Sequence, residues 1–175
     1  MTRQTNTRPL AIGLTVVAAL ARLAPHPWNF TPVGSLSLFA GARLRGWLAF
    51  VLPLVLMAVT DPLLGGYSRA TPLVYLAFLI NVWIGRHLQR SESVARIGGA
   101  ALLCSVQFFL LTNIPSWLAH FPHTWTGFAE CYTLALPFFG WTLAGDLVYT
   151  AALFGLHAWL SRTVGKSERV SLEAA

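Results

Sequence analysis

Val94–Leu118 reads VARIGGAALLCSVQFFLLTNIPSWL, with Arg96 its only charged residue. As a helix this run would be about 37 Å long, and the hydrocarbon core of a bilayer is about 30 Å thick. Working outward, five more apolar runs are separated by short polar or proline-containing breaks: Pro9–Ala24, Val33–Leu44, Trp47–Leu64, Pro72–Leu88 and Phe138–Leu160. The second is too short to span a bilayer alone. Ala119–Pro137 reads as a long connection with a half-buried helix over Gly127–Leu136. The expected fold is all-α and integral to the membrane. It is a single compact bundle of about six transmembrane helices, followed by a polar tail over 161–175.

Composition agrees. Of the 175 residues, 55% are hydrophobic and only 10% charged, whereas a soluble domain carries about 25% charged residues. The net charge of +6 does not point to nucleic acid. The basic residues are neither clustered on one face nor interleaved with aromatics; they sit between the apolar runs, where membrane topology puts them. Cys104 lies inside an apolar run and Cys131 in the long connection, a placement that makes neither a disulfide framework nor a metal-ligand pattern.

Charge also orients the chain. With the N-terminus in the cytoplasm, the inner side receives Arg3, Arg8, Arg43, Arg45, Arg86, Arg90, Arg96, Arg162, Lys166 and Arg169, and the outer side only Arg22 and Arg69. This is the positive-inside pattern, and removing the short second helix would spoil it. Both ends are therefore expected in the cytoplasm of a cell with the chain in its inner membrane. Ala19-Leu20-Ala21 imitates a signal-peptide cleavage site, but the apolar run has no clean break before Arg22, which favours retention of the first helix.

The polar and aromatic residues that this topology places on the outer side are the candidate site. Asp61 falls near the outer end of the third helix, and Asp146 about 12 Å into the sixth, where an unpaired charge is expensive. Two readings stand for Asp146: a structural partner, such as a Tyr, an Asn or Arg22, or contact with a ligand or a transferred proton. Tyr149 lies three residues on and shares its helical face. Asn29, Asn81, Gln107 and Asn113 are expected to face the bundle interior and hydrogen-bond between helices. Pro25, Pro27 and Pro32 forbid a regular helix between the first two spans, so an ordered, inward-folded connection is expected there. His120 and His123 lack a third ligand at suitable spacing, and no metal or other cofactor is expected. Gly165-Lys166-Ser167 resembles the end of a P-loop, but Leu160 stands where the earlier glycine belongs. No catalytic constellation is visible, and the chain is read as a non-enzyme.

The stretch Arg22-Leu23-Ala24-Pro25-His26-Pro27-Trp28-Asn29-Phe30-Thr31-Pro32-Val33 carries a resemblance, together with Leu38-Phe39-Ala40-Gly41-Ala42, Asp61, Pro72-Leu73-Val74-Tyr75, Thr112-Asn113, Cys131-Tyr132, Pro137-Phe138-Phe139 and Gly145-Asp146-Leu147-Val148-Tyr149-Thr150. Over about Arg22 to Leu160 the chain resembles a domain-of-unknown-function family of small bacterial membrane proteins labelled as transport proteins. That family looks related to the S components of energy-coupling-factor vitamin transporters. The resemblance implies six helices around an outward-facing ligand pocket. Solitary cobalamin-importing S components use a cysteine after the third helix; here that region, Gly65 to Pro72, has none. S components also dock an energy-coupling membrane subunit through small residues on the first helix, and Ala11, Thr15 and Ala19 offer that spacing.

The function expected is therefore transport. A small water-soluble nutrient or vitamin-like substrate would be bound from the outer side by Asn29, Phe30, Asp61, Tyr67, Tyr75, Asn113, Tyr132, Asp146 and Tyr149. The partners expected are the lipid bilayer, that substrate and a coupling subunit. The alternative is a non-transporting scaffold or accessory subunit of a membrane complex, which would be packed solid where the transporter has a cavity.

Overall fold

The computed structural model describes residues 7–89 and 91–173, with side chains to residue 163. Arg3, Arg90 and the side chains of Lys166 and Arg169 lie outside the described residues. So do the side chains of the P-loop-like triplet and of most of the expected tail.

Among the described residues every regular element is helical. The elements are α1 (Arg8–Ala21), α2 (Val33–Arg43), α3 (Leu48–Thr60) continued by a 3₁₀ turn (Asp61–Leu64), α4 (Thr71–Arg86), α5 (Val94–Thr112), α6 (Ile114–His120) and α7 (Trp125–Glu173). Pro9, Pro72 and Pro115 each stand in a first turn, where a missing N–H costs nothing. Ser93 caps α5 by accepting from the Arg96 N–H.

The shortest of the long elements is at the centre. Val33 to Ala42 are all buried, and α2 packs on α1, α3, α4, α5 and α7. An 11-residue helix is about 16 Å long, too short to match a bilayer, but α2 is sheathed by other helices. Glycines let its backbone approach α4. A Cβ on Gly41 would run into the Val82 carbonyl oxygen, and one on Gly85 into the Leu38 carbonyl oxygen. This is small-residue helix packing. The stripe Ala11, Thr15 and Ala19 does the same for α1. All three are buried, so these residues face the chain's own neighbours and are not free to receive a docking subunit.

Two helical runs are long and apolar enough to cross a membrane: Val94–His120, of 27 residues, and Trp125–Thr163, of 39. Arg8–Ala21, Leu48–Leu64 and Thr71–Arg86 are shorter apolar helices. Many large apolar side chains lie on the surface, and the mainly hydrophobic core also holds polar residues. Val17, Val55, Val59, Trp83, Leu103, Val148 and Trp159 are exposed, while Ser35, Ser37, Asn81, Ser105, Asp146, Thr150 and His157 are buried.

The last helix departs from the sequence reading. It starts at Trp125 and runs through Pro137 without a break, so the helix expected over Gly127–Leu136 is present, Cys131 is helical, and this stretch is continuous with the expected sixth helix at 138–160, which is the middle of a longer one. Pro137 removes one ladder hydrogen bond, but tertiary contacts hold the segment before it. Trp117 meets Phe128 edge-on at 5.4 Å, Phe109 meets Tyr132 at 5.5 Å, and the Tyr132 hydroxyl donates to the Leu110 carbonyl.

The charged ends separate. Arg43 donates to the Ser91 carbonyl at 2.8 Å, Arg86 to the Gly46 carbonyl at 3.3 Å, and Arg162 lies 3.7 Å from Glu92, all at one end of the bundle. Arg22 sits at the opposite end, where α1 finishes and α3 turns.

Candidate functional site

The site forms where the proline-rich connection delivers the chain into α2. Pro32 is fully buried and precedes the first residue of α2. Asn29 takes a left-handed conformation, φ 62°, which Asn tolerates better than most residues. The connection is largely exposed over residues 23–29 and not folded inward as expected, but Asn29 and Thr31 border a cavity of about 170 Å³ whose wall also includes Arg22, Val33, Gly34, Val74, Phe78, Phe108, Thr142 and Asp146. The polar groups thus come from α1, the connection and α7, and the apolar ones from α2, α4 and α5. Phe78 and Phe108 lie with ring centroids 5.0 Å apart.

Asp146 is 4% exposed. Ser105 on α5 donates to its Oδ2 at 2.6 Å, and the carboxylate rests on the first turn of α2, where a Cβ on Gly34 would overlap it. The absence of a side chain at Gly34 is what admits the carboxylate. A helix N-terminus carries N–H groups without intrahelical partners and about half a positive charge. The junction is stitched further by Ser35, which donates to the Asp146 carbonyl at 2.8 Å, and by Thr150, which donates to the Ser35 hydroxyl at 3.1 Å.

A second buried acid borders the cavity through Arg22. Arg22 Nη1 lies 2.6 Å from Asp61 Oδ1 and donates to Thr60 Oγ1 at 3.0 Å. The Tyr75 hydroxyl donates to Asp61 Oδ2 at 2.6 Å. This cluster ties α1, α3 and α4 at the end of the bundle.

The structure separates the nine sequence candidates into three groups. Asn29 and Asp146 line the cavity. Phe30 and Tyr149 pack on each other beside it, ring centroids 5.5 Å apart, and Asp61 and Tyr75 hold Arg22 in place. Tyr67, Asn113 and Tyr132 lie elsewhere. Tyr67 donates to the Ala58 carbonyl at the mouth of the α3–α4 turn, Asn113 caps back onto the Phe109 carbonyl, and Tyr132 braces α7 on α5. Their polar atoms are spent on backbone carbonyls of their own neighbourhoods. The donor expected for Asp146 is Ser105 rather than a Tyr, an Asn or Arg22. Of the amides, Gln107 donates to Asn81 at 2.6 Å across α4 and α5.

Sequence reasoning did not name Thr142, Thr31, Arg22, Phe78 or Phe108 as wall residues. Thr142 had a usable signal, since it lies four residues before Asp146 and so on the same helical face. Among the described residues no three His, Cys, Asp or Glu side chains come together as a metal site.

Residues 3–169 match a family of unknown function, DUF6580. The chain belongs to this family. No curated protein and no solved structure gives a match. Family membership covers nearly the whole chain, so the cavity, both acids and the proline-rich connection all fall within the shared region.

Proposed function

We propose that this member of the family is a multi-pass membrane transport protein that takes a small water-soluble solute from the outer side into the cavity at Asp146. The observation that carries the reading is a mainly apolar, partly open cavity of about 170 Å³ that holds the Asp146 carboxylate on its wall, in a bundle whose outward surface is apolar. Exposed apolar surface this extensive suits lipid, and an ionisable side chain on a cavity within such a bundle is the arrangement expected of an intramembrane solute site.

In this reading α1, α2, α3, α4, the α5–α6 run and the middle of α7 make six spans. The short α2 is tolerated because protein surrounds it. At 39 residues, Trp125–Thr163 is about 58 Å long, so the part before Pro137 rises beyond the bilayer with α6. The end carrying Arg43, Arg86 and Arg162 faces the cytoplasm, and the cavity opens outward.

Kinship with S components is proposed only for this general plan. An engineered cavity of about 150 Å³ holds benzene, so the present volume favours a small solute over a cobalamin-sized one. The lining residues offer one carboxylate, one guanidinium, one amide and two hydroxyls, a set that suits binding more than catalysis.

Reporter fusions test the topology. Ser91 should read cytoplasmic, and Ser68 and His123 external; an external reading at Ser91 overturns the six-span arrangement. Native mass spectrometry of detergent-purified protein tests the binding. A bound small molecule lost from a cavity-filling Val74→Phe variant supports the reading, and its absence from both forms favours a scaffold.

A further inference from the structure

The two charges on the cavity wall, those of Arg22 and Asp146, are not met alike. Arg22 is matched by Asp61 at 2.6 Å. Asp146 has no such partner: Ser105 is a neutral donor, and the N-terminus of α2 supplies only about half a charge. Counting Arg22 as +1 and the two carboxylates as −1 each, the site carries one uncompensated negative charge, 96% buried by the exposure of Asp146 (4% exposed). Buried charges are tolerated when they are paired. A cation in the cavity would supply the missing positive charge; without one, a proton on the carboxylate removes the need for it.

Resting on the binding reading above, we propose that the solute is a small organic ammonium compound whose nitrogen pairs with Asp146. The surroundings meet the needs of that group. An alkylammonium has three N–H donors. Besides Asp146, the lining residues include Thr142, Thr31 and Asn29, whose side-chain oxygens can accept. Thr142 gives its own proton to the Phe138 carbonyl at 3.1 Å, which leaves its lone pairs to accept. The rings of Phe78 and Phe108 and the side chains of Val33 and Val74 cover a short carbon chain, and ring faces also attract a cation. The volume accommodates a group of roughly benzene size. A carboxylate on the same guest is disfavoured, because the only guanidinium on the wall already serves Asp61.

The test is isothermal titration of purified protein with three probes of one chain length: n-butylammonium, 1-butanol and 4-aminobutyrate. The unaltered protein should bind butylammonium about ten- to a hundredfold more tightly than either other probe, the range expected for a hydrogen bond to a charged group. Asp146→Asn should erase that discrimination. Equal or tighter binding of butanol or of the zwitterion by the unaltered protein overturns the ammonium assignment while leaving a solute site in place. Failure of all three probes to bind overturns the assignment as well. Retained preference for butylammonium in Asp146→Asn overturns the role of Asp146. Because the probe comparison is made on the unaltered chain, it holds even if Asp146→Asn folds poorly.

Discussion

Asp61 and Asp146 are both buried, and they are kept buried in different ways. Asp61 sits at the end of α3 with a guanidinium on one oxygen and the Tyr75 hydroxyl on the other. Its charge is met in full, and the cluster acts as a clasp between three helices. Asp146 lies inside α7 with a serine hydroxyl on one oxygen and the first turn of α2 alongside. Its charge is met in part. A fully matched acid has nothing left to offer a guest, whereas a partly matched one facing a cavity does. The same side chain is therefore a fastening in one place and a binding group in the other.

The largest effect should come from unmatching the matched acid. Arg22→Leu leaves Asp61 with Tyr75 alone. Breaking a buried pair costs about 3–5 kcal/mol; because the Arg22 side chain is 18% exposed, the lower end, about 3 kcal/mol, is expected. For a chain of this size that lowers the melting temperature by about 6–12 °C, readable by thermal unfolding in detergent. The double variant Arg22→Leu/Asp61→Leu should recover most of the loss. If it is no more stable than the single variant, Arg22 matters for packing and the contrast between the two acids fails.

A smaller effect should follow from pushing the partly matched acid off its helix end. Gly34→Ala places a methyl group where the Asp146 carboxylate lies, at an overpacking cost of about 1–3 kcal/mol. Gly13→Ala is the control. A Cβ there meets nothing within 4 Å, so it should leave stability unchanged or raise it by up to about 1 kcal/mol. Equal losses in both variants would mean that Gly34 is not there to admit Asp146.

The finest comparison removes one hydroxyl from each acid. Ser105→Ala and Tyr75→Phe each delete a 2.6 Å hydrogen bond to a carboxylate, and such bonds are worth about 1.5–3 kcal/mol. Asp61 retains Arg22, so Tyr75→Phe should cost about 1 kcal/mol, below that range. Asp146 retains only the α2 end, so Ser105→Ala should cost about 2 kcal/mol. Chemical denaturation of the two variants side by side gives the difference, and the reverse order would show Asp146 to be the better-compensated acid.

Much of the frame was legible beforehand. The starts of α1 through α5 fall within a residue of the apolar runs that announce them, because proline, serine and charged residues punctuate those runs. Asp146 was recognisable as an inward-facing acid in need of a donor, since an isolated charge inside an apolar helix has few alternatives. The helix over Gly127–Leu136 was legible, but its unbroken continuation through Pro137 into the last span was not. Pro137 reads as a break, and the aromatic contacts with Trp117 and Phe109 that hold the segment before it in place join residues from different elements.

The sequence by itself determines that the chain is helical, that its helices are apolar outward and that its basic residues favour one end. These follow from local composition and periodicity, which a run of neighbouring residues carries in full. Only the tertiary structure decides which acid is matched. Arg22 and Asp61 are 39 positions apart, Ser105 and Asp146 are 41 apart, and Gly34 meets Asp146 across more than a hundred. Those meetings depend on how α2 is sheathed by its neighbours, and that depends on glycines such as Gly41 and Gly85, whose missing side chains let the backbones close. Charge compensation is a property of distances in space, and chain separation does not encode it.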